Sequence, residues 1–439
     1  MREIGPKQLA ADTERCYRQG DWVGMSGLEQ YYETVLRGQR GMRYELTDVR
    51  GIRQGKFKSG ALDQPSVPGQ SLVTTIDAPL QAYGEHLMKH KVGSIVAIAP
   101  ATGEVLTMVS SPTYDPNQLV GRQLGEYIAS LSKATDAPLF HRPIMAMYPP
   151  GSIFKLVQVL IALQERVVQH HTQYACHKQP FNCREHPSPL NLQQALKHSC
   201  NSYLYRVFKS IVNQQVSDDV YKDTRIGLEK WHHYVQSLGL GKCLGIDLPG
   251  EKRGIVPSAA YYDQRYGLHQ WKASTIRSLA IGQGELLVTP LQMANLMAIL
   301  ANRGYYYTPH LVRQVGLEAA PRAVDRHDIA IDTEHFVYIA QSMRKVVEEG
   351  SAWRARIKGI SVCAKTGTVE NPHGHDHSVC VAFAPQDNPQ IAIAVYVENA
   401  GWGARAAASI AGLMIEQHLR GKVTRTWVQR YVEKGDFFH

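Results

Sequence analysis

The chain has 439 residues, enough for one large domain and a smaller module. Hydrophobic residues make up 44% and charged residues 20% of it, which is typical of a globular protein and excludes a disordered or fibrous chain. The net charge of +9 comes from scattered basic residues without a nucleic-acid-binding motif, so we expect an acidic neighbour such as anionic lipid headgroups or a polyanionic wall, and no nucleic acid.

The beginning of the chain carries no membrane-targeting pattern. No stretch approaches the roughly 18 consecutive apolar residues that a membrane span needs, and the first residues do not have the pattern of a signal peptide. We therefore expect any membrane anchor to lie upstream of residue 1.

The first part of the chain differs in composition from the rest. Residues 1 to about 68 are rich in Arg and Gly and end in the polar run RQGKFKSGALDQPSVPGQ, which is typical of a linker or an edge between modules. We predict a boundary there, with one module over residues 1–68 and a larger domain over residues 69–439.

The larger part of the chain has strand patterns at both ends and helical patterns between them. SLVTTI predicts an early strand, and the two alternating runs of GSIVAIAPATGEVLTMVSSP, which flank a Pro-Ala-Thr-Gly turn, predict a β-hairpin. Residues 152 to about 300 are mostly helical in pattern. Strands return in ISVCAKTGTVE, SVCVAFAP and QIAIAVYVENA, before the helical ARAAASIAGLMIEQHL. We predict an α+β domain with one sheet assembled from distant segments.

The segment YPPGSIFKLVQVLIALQ places a hydroxyl and an amine at the start of a buried helix. Pro149, Pro150 and Gly151 block a helix upstream, and most positions after Ser152 are apolar. The spacing of three puts Ser152 and Lys155 on one face of the helix. Lys155 therefore either extends out of the core or stays partly desolvated beside the serine, where a lowered pKa would make it a general base.

Ser-x-x-Lys occurs twice more, and the context of both copies predicts solvated faces. Ser130 and Lys133 lie among small polar residues, whereas Ser342 and Lys345 lie in the charged amphipathic run QSMRKVVEEG. Since about one such match is expected by chance in a chain of ordinary composition, the spacing alone does not identify a site.

Two further segments complete a set of motifs. Ser199 and Asn201 flank Cys200 in LKHSCNSYLY and form the only Ser-x-Asn of the chain, and Lys365 opens KTGT in the apolar strand CAKTGTVE. Ser-x-x-Lys, a serine-containing loop and Lys-Thr-Gly are the signature of penicillin-binding proteins and serine β-lactamases. In that family they follow in this order, so a second motif of the Lys-Thr-Gly type at Lys58 fails because it precedes every candidate nucleophile.

Longer segments extend this resemblance to nearly the whole chain. The segments GMSGLEQYYETVLRGQRG, SLVTTIDAPLQAYGEHLM, SSPTYDPN, YPPGSIFK and AIGQGELLVTPLQMANLMAILANRG resemble class B penicillin-binding proteins, and within that class the elongation-type transpeptidases most of all. The resemblance implies an antiparallel sheet flanked by helices, behind a pedestal domain of the dimerisation type. Residues 1–68 are expected to hold only the last part of that pedestal, since the family has a longer pedestal and a membrane anchor.

The resemblance implies acyl transfer on peptidoglycan stem peptides. Ser152 would attack the carbonyl between two D-alanines, and Lys155 would take its proton. Ser199 would relay a proton to the leaving D-alanine, and Asn201 would fix Lys155 and bind the substrate amide. Lys365 would add positive charge that keeps Lys155 neutral and attracts the substrate carboxylate.

The strand motif implies a substrate-binding role for its remaining residues. Residues two apart on a strand share a face, so Thr366 and Thr368 can both present hydroxyls to a carboxylate. Gly367 removes a side chain where the substrate has to lie close to the backbone. By resemblance, the backbone N–H groups of Ser152 and Thr368 form the oxyanion hole, in which one donor contributes about 3 kcal/mol.

The same resemblance implies partners and a location. The expected ligands are stem peptides as donor and amine acceptor, and β-lactams, which would stay attached to Ser152. The expected protein partners are a glycan polymerase of the RodA type and MreC, the latter through the pedestal, at the periplasmic face of the inner membrane. No cofactor is expected for catalysis. A serine β-lactamase and a β-lactam sensor are the alternatives.

A cysteine-rich segment precedes the Ser-x-Asn motif. Cys176, Cys183, His186 and Cys200 offer a thiolate-rich set of four ligands that fits a tetrahedral structural zinc site. A disulfide between Cys176 and Cys183, or mere scatter in a His-rich loop, are the alternatives. The His-rich ENPHGHDHS, after the Lys-Thr-Gly strand, is predicted to be a solvated loop beside the cleft.

Overall fold

The computed structural model describes residues 2–12, 17–119, 121, 123–183, 185–317 and 323–438, and it divides the chain into two units. The smaller unit contains the described residues up to Thr75, together with Asp247–Gly250 and the described part of His310–Ala323. The larger unit contains the described residues of Ile76–Ile246, Glu251–Pro309 and Val324–His439. The predicted boundary after residue 68 remains a prediction.

The smaller unit consists of short elements. Its elements are the strand pairs Arg2–Glu3 with Trp22–Val23, Glu45–Thr47 with Arg53–Lys56 and Leu72–Thr74 with Val312–Val315, and the helices Pro6–Ala11, Gly27–Tyr31 and Glu33–Leu36. The carboxylate of Asp247 accepts hydrogen bonds from the backbone of Leu311 and Val312 and from the hydroxyl of Tyr32, at 2.7 to 2.9 Å. Three distant chain segments of this unit are therefore joined at one buried acid.

A five-stranded antiparallel sheet lies at the centre of the larger unit. Its strands are β1 (Gly93–Ile98), β2 (Val105–Ser111), β3 (Cys363–Val369), β4 (His377–Ala384) and β5 (Ile391–Val397). The order across the sheet is β3-β4-β5-β1-β2, so the strand with the Lys-Thr-Gly motif lies at one edge.

Helices that position the candidate site or cover the sheet are α1 (Lys155–Gln164), α2 (Leu192–His198), α3 (Asn201–Val212), α4 (Pro290–Ala301), α5 (Thr333–Glu348) and α6 (Ala406–Arg420). The other helices of the larger unit are Ala78–Met88, Leu124–Lys133, Arg142–Met145, Val220–Ser237, Ala259–Tyr266 and Thr426–Lys434, and short strands at Tyr305–Tyr307 and Arg326–Asp328 pair with each other.

Helices cover both faces of the sheet. Ile391, Ile393 and Val395 belong to one apolar cluster with the buried face of α6. Because alternate residues of a strand point to opposite faces, the intervening residues of β5 face the other side, where α4 packs. All twelve residues of α4 are buried, in keeping with its apolar sequence, and Thr289 and Gln292 form a capping box at its start.

The structure confirms the predicted fold class, with one correction and one wrong detail. The hairpin, the three late strands and the last long helix lie where the sequence predicted them. SLVTTI does form a strand, but it pairs with Val312–Val315 and not with the main sheet. Ser342 is fully buried, so the prediction of a solvated face there is wrong, whereas Ser130 is exposed as predicted. No helix among the described residues is long and apolar enough to cross a membrane.

Candidate active site

Ser152 lies in a tight turn that leads into a buried helix. Residues Gly151–Phe154 form a 3-10 turn, and α1 follows without a break. The backbone N–H of Gly151 donates to the carbonyl of Gly282 at 2.8 Å. Gly282 has a φ of +72°, and a Cβ on it would lie 2.2 Å from the carbonyl oxygen of Gly151. Only glycine fits at this approach of the two chain segments.

The residues before the turn are held by a partly buried network of an ion pair and a hydrogen bond. The hydroxyl of Tyr148 donates to Oε1 of Glu398 at 2.6 Å, and Nε of Arg142 donates to the same oxygen at 3.0 Å. The ring of Tyr148 stacks on that of Tyr396 with 3.9 Å between centroids. These contacts fix the segment that enters the turn of Ser152.

Ser199 occupies the junction between two helices. It follows α2 in the left-handed conformation, with φ +56° and ψ +41°, which is strained for a residue with a Cβ. Cys200 then caps α3, because its Sγ accepts from the backbone N–H of Tyr203. The first residue of α3 is Asn201, so the two polar side chains of the Ser-x-Asn motif lie on either side of a helix start.

The Lys155 side chain is fully buried and points at this junction. Its Nζ contacts the carbonyl oxygen of Ser199 at 2.7 Å, the Oγ of Ser199 at 3.1 Å and Oδ1 of Asn201. Burial lowers the pKa of Lys155 to about 8, against an opposing effect of negative charge on Cys200 and Cys183. The sequence left two positions open for this lysine, and the structure places it in the desolvated one.

Lys365 approaches the same hydroxyl from the edge strand. Its Nζ lies 3.0 Å from Oγ of Ser199 and 2.9 Å from the carbonyl oxygen of Thr366, and its side chain is fully buried. Two lysines from α1 and β3 therefore meet at one serine hydroxyl, although 210 positions separate Lys155 from Lys365.

The remaining residues of the strand motif face the cavity beside Ser152. The hydroxyl of Thr368 accepts from the backbone N–H of Gly403 at 3.3 Å, so its own hydrogen is available to a ligand. The hydroxyl of Thr366 lies 2.6 Å from that of Ser351. A Cβ on Gly367 would lie 3.3 Å from the backbone nitrogen of Ser152, so a side chain there would crowd the backbone at Ser152.

A cavity of about 310 Å³ unites these groups, because Ser152, Ser199, Asn201, Thr366, Gly367 and Thr368 all line it. Cys183, which was predicted only as a metal ligand, also lines the cavity. The other lining residues were not predicted as site residues: Asn182, His198, Ile281, Gln283, Ser351, Glu370, Asp376, Trp402 and Ala404. Ile281 and Gln283 belong to the quoted AIGQGELLVTP segment, which gave a signal, whereas Ser351 and Trp402 had none. In ENPHGHDHS, His373 and His375 are exposed as predicted, but Asp376 lines the cavity.

Two families of known domains match this chain. Residues 93–416 match the penicillin binding protein transpeptidase domain, and residues 1–74 match the penicillin-binding protein dimerisation domain. The first match covers most of the chain. This chain belongs to the penicillin-binding proteins.

Individual relatives support the class within that family. Peptidoglycan D,D-transpeptidase MrdA of Acinetobacter baumannii is 29% identical over 434 residues, which cover 92% of this chain and 62% of that protein. The chain thus spans less than two thirds of the length of this curated relative. These penicillin-binding proteins confirm the predicted resemblance to class B members of the elongation type.

Two solved structures show the same fold. Pseudomonas aeruginosa PBP2 in complex with WCK 5153 has 28% identity and a TM-score of 0.78, over 97% of this chain and 89% of that one. A complex between PBP2 and MreC from Helicobacter pylori has 24% identity and a TM-score of 0.81, over 96% of this chain and 76% of that one. At 24% identity, the likeness to the Helicobacter pylori protein shows only that the two chains share the penicillin-binding protein fold.

The cysteine-rich segment of this penicillin-binding protein folds into a cluster next to the site. The ligand atoms of Cys176, Cys183, His186 and Cys200 all lie within 4.8 Å of one another. Cys176 and Cys183 are both free thiols, so the alternative of a disulfide between them is not realised. A hydrogen bond from Cys200 lowers the pKa of the Cys183 thiol and correspondingly raises that of Cys200.

Two details of the cluster fit a tetrahedral metal. The Sγ atoms of Cys183 and Cys200 are 3.8 Å apart, close to the spacing of about 3.8 Å that zinc–sulfur bonds of about 2.3 Å require in a tetrahedron. His186 contacts the carbonyl oxygen of Pro187 through Nδ1 at 2.7 Å, while its buried Nε2 has no partner among the described residues. An imidazole ring that is hydrogen-bonded through one nitrogen and has its other nitrogen available for a metal ion is typical of a metal-ligating histidine.

Proposed function

We propose that this chain is a peptidoglycan D,D-transpeptidase that works through an acyl-enzyme on Ser152. One observation carries the proposal: a fully buried Lys155 with a lowered pKa contacts Ser199 and Asn201 beside the cavity that Ser152 lines. A buried amine that is largely free of its proton above pH 8 can act as a general base, which a solvated lysine cannot.

The first half-reaction follows from these contacts. Oγ of Ser152 bonds to the carbonyl carbon between two D-alanines, and its proton passes to Lys155. The C–N bond breaks, and the proton returns through the hydroxyl of Ser199, which Lys155 contacts, to the nitrogen of the departing D-alanine. An ester on Ser152 remains. Asn201, whose Oδ1 contacts Lys155, keeps the amine aimed at this hydroxyl.

Substrate binding uses the edge strand. The carboxylate of the terminal D-alanine would accept from the hydroxyls of Thr366 and Thr368, and Lys365 adds positive charge beneath them. Gly367 leaves room for the substrate backbone next to Ser152. The backbone N–H groups of Ser152 and Thr368 would form the oxyanion hole by resemblance to the family.

A labelling experiment tests the proposal. Fluorescent penicillin should acylate the wild-type chain stoichiometrically, and Ser152→Ala should abolish this labelling. Ser130→Ala is the matched control, because Ser130 belongs to another Ser-x-x-Lys but is exposed. Persistent stoichiometric labelling of Ser152→Ala would refute the assignment, as would loss of labelling in Ser130→Ala alone.

We also propose that the cysteine cluster holds a structural zinc ion through Cys176, Cys183, His186 and Cys200. A bound zinc ion would supply only a rigid cross-link between chain segments. The cluster lies where it can order the site, since Nδ2 of Asn201 donates to the carbonyl of Asn182 at 3.1 Å, one residue from a ligand. The transpeptidase reaction itself would use no cofactor.

Metal analysis of the purified protein tests the zinc proposal. We expect one zinc per chain, lost in Cys183→Ser and in His186→Ala, together with a lower melting temperature. Cys243→Ser is the control, because Cys243 is an exposed free thiol. Zinc-free native protein of full thermal stability, or variants that keep the metal, would contradict the proposal.

The partners and location implied by the resemblance are part of the proposal. The dimerisation match over residues 1–74, and the complex of MreC with a protein of the same fold, support binding of MreC through the predicted module 1–68. A RodA-type glycan polymerase would be the second partner, with the protein anchored at the periplasmic face of the inner membrane. Absence of binding between the full-length protein and MreC would contradict the first point.

A further inference from the structure

A second cavity adjoins the one beside Ser152. Its volume is about 480 Å³, and it shares Asp376 and Trp402 with the first cavity. Its walls come from the loop between β3 and β4, from the segment between β5 and α6, and from the last residues of the described chain. The proposed donor-binding groups, Thr366 and Thr368, line only the first cavity.

The second cavity carries opposite charges on its walls. Asp376 lines it from the loop, and Arg405, the residue before α6, lines it from the opposite chain segment. The guanidinium of Arg405 lies 5.1 Å from the ring centroid of Trp402. One of its nitrogens donates to the carbonyl of Phe437 at 2.8 Å, which fixes the cationic head in the wall. A guanidinium held in this way suits a carboxylate ligand, because it offers several donors in a fixed plane.

Transfer to an acceptor requires a second substrate at the ester on Ser152. The donor occupies the edge strand, so the acceptor has to enter from another side of the first cavity. The second cavity provides such an entrance, because Asp376 and Trp402 are common to both.

We propose that the second cavity receives the acceptor amine, and that this amine carries a carboxylate on the neighbouring carbon. The inference rests on the proposed function. Arg405 would bind the carboxylate, and Asp376 would accept a hydrogen bond from the amine and turn its lone pair toward the ester. The amine nitrogen then bonds to the acyl carbon, the bond to Oγ of Ser152 breaks, and one proton passes from nitrogen to that oxygen.

The test compares two acceptors that differ only in the carboxylate. The chain is supplied with a D-alanyl thioester donor and with either D-alanine or D-alaninamide, and transfer and hydrolysis products are quantified. The ratio of transfer to hydrolysis is a property of the acyl-enzyme, so it does not depend on how fast that species forms. Comparison between variants cancels the different reactivities of the two amines.

We expect Arg405→Gln to lower the transfer ratio for D-alanine about tenfold relative to D-alaninamide, since charge-assisted hydrogen bonds contribute at least that factor. Arg405→Lys should keep part of the preference. Arg344→Gln is the matched control, because Arg344 is an exposed arginine paired with Glu348 on α5. An unchanged preference in Arg405→Gln would overturn the inference.

A second variant covers the case in which Arg405→Gln fails to fold. Asp376→Asn should lower transfer to both acceptors severalfold relative to hydrolysis. Wild-type transfer ratios in Asp376→Asn would overturn the inference. Failure of the wild-type chain to form any acyl-enzyme would instead contradict the proposed function, so the two failures are distinguishable.

Discussion

The burial of Lys155 predicts a definite pH profile for acylation. Its pKa is lowered to about 8, so the neutral amine, which is the proposed base, becomes more abundant as pH rises. About one tenth of the molecules hold a neutral amine at pH 7, against about one in three thousand for a lysine at its usual pKa of 10.5. Burial thus contributes roughly 300-fold to the population of the active form at neutral pH.

The assay is the second-order rate constant for acylation by benzylpenicillin, measured from pH 6 to pH 10. We expect about a tenfold rise per pH unit below pH 7, a midpoint near pH 8 and a plateau above pH 9. Lys155→Arg should lose at least a hundredfold, because arginine keeps its proton. The control Lys133→Arg changes an exposed lysine of another Ser-x-x-Lys. A flat profile, or a midpoint near pH 10.5, would refute this reasoning.

Three further predictions concern the site. Gly282→Ala should reduce penicillin labelling sharply and lower the melting temperature, because its Cβ would lie 2.2 Å from the carbonyl oxygen of Gly151. Gly421→Ala is the control, because Gly421 has a similar φ of +68° but open space around it. It should lower the free energy of unfolding only by the backbone strain of about 1 kcal/mol. Equal effects of the two substitutions would contradict the role of the close approach at Gly282. Ser351→Ala should weaken the noncovalent binding of penicillin that precedes acylation about fivefold, because the hydroxyl of Thr366 loses its partner. Binding as tight as in the wild type would show that this contact does not contribute to affinity. Hydrolysis of nitrocefin should stay slower than about 1 per second, whereas faster turnover would favour a β-lactamase.

Local patterns predicted the elements of this fold well. The largely apolar runs of β1 and β2 and the apolar sequences of α1 and α4 follow from their own burial, which a short window of sequence reflects. Pairing between strands that are distant in the chain produces no pattern in a short window of sequence. The sequence therefore gave no means of deciding that SLVTTI pairs with Val312–Val315 and stays out of the main sheet.

The candidate site likewise has parts that the sequence could predict and parts that it could not. That Ser152, Lys155, Ser199 and Lys365 come together could be predicted from motifs, because the proposed chemistry demands particular side chains at particular spacings. The close approach of Gly282 to Gly151 and the place of Asp376 in the cavity wall could not be predicted, since both depend on which segments meet in space. The burial of Ser342 was missed because a charged neighbourhood in sequence hides one inward-facing position on α5.

Peptide mapping of the penicillin adduct by mass spectrometry is the most direct test of the central claim. Treatment with benzylpenicillin should add one penicilloyl group per chain, and digestion should locate it on Ser152 alone. An adduct on any other residue, or no covalent adduct in folded protein, would contradict the account.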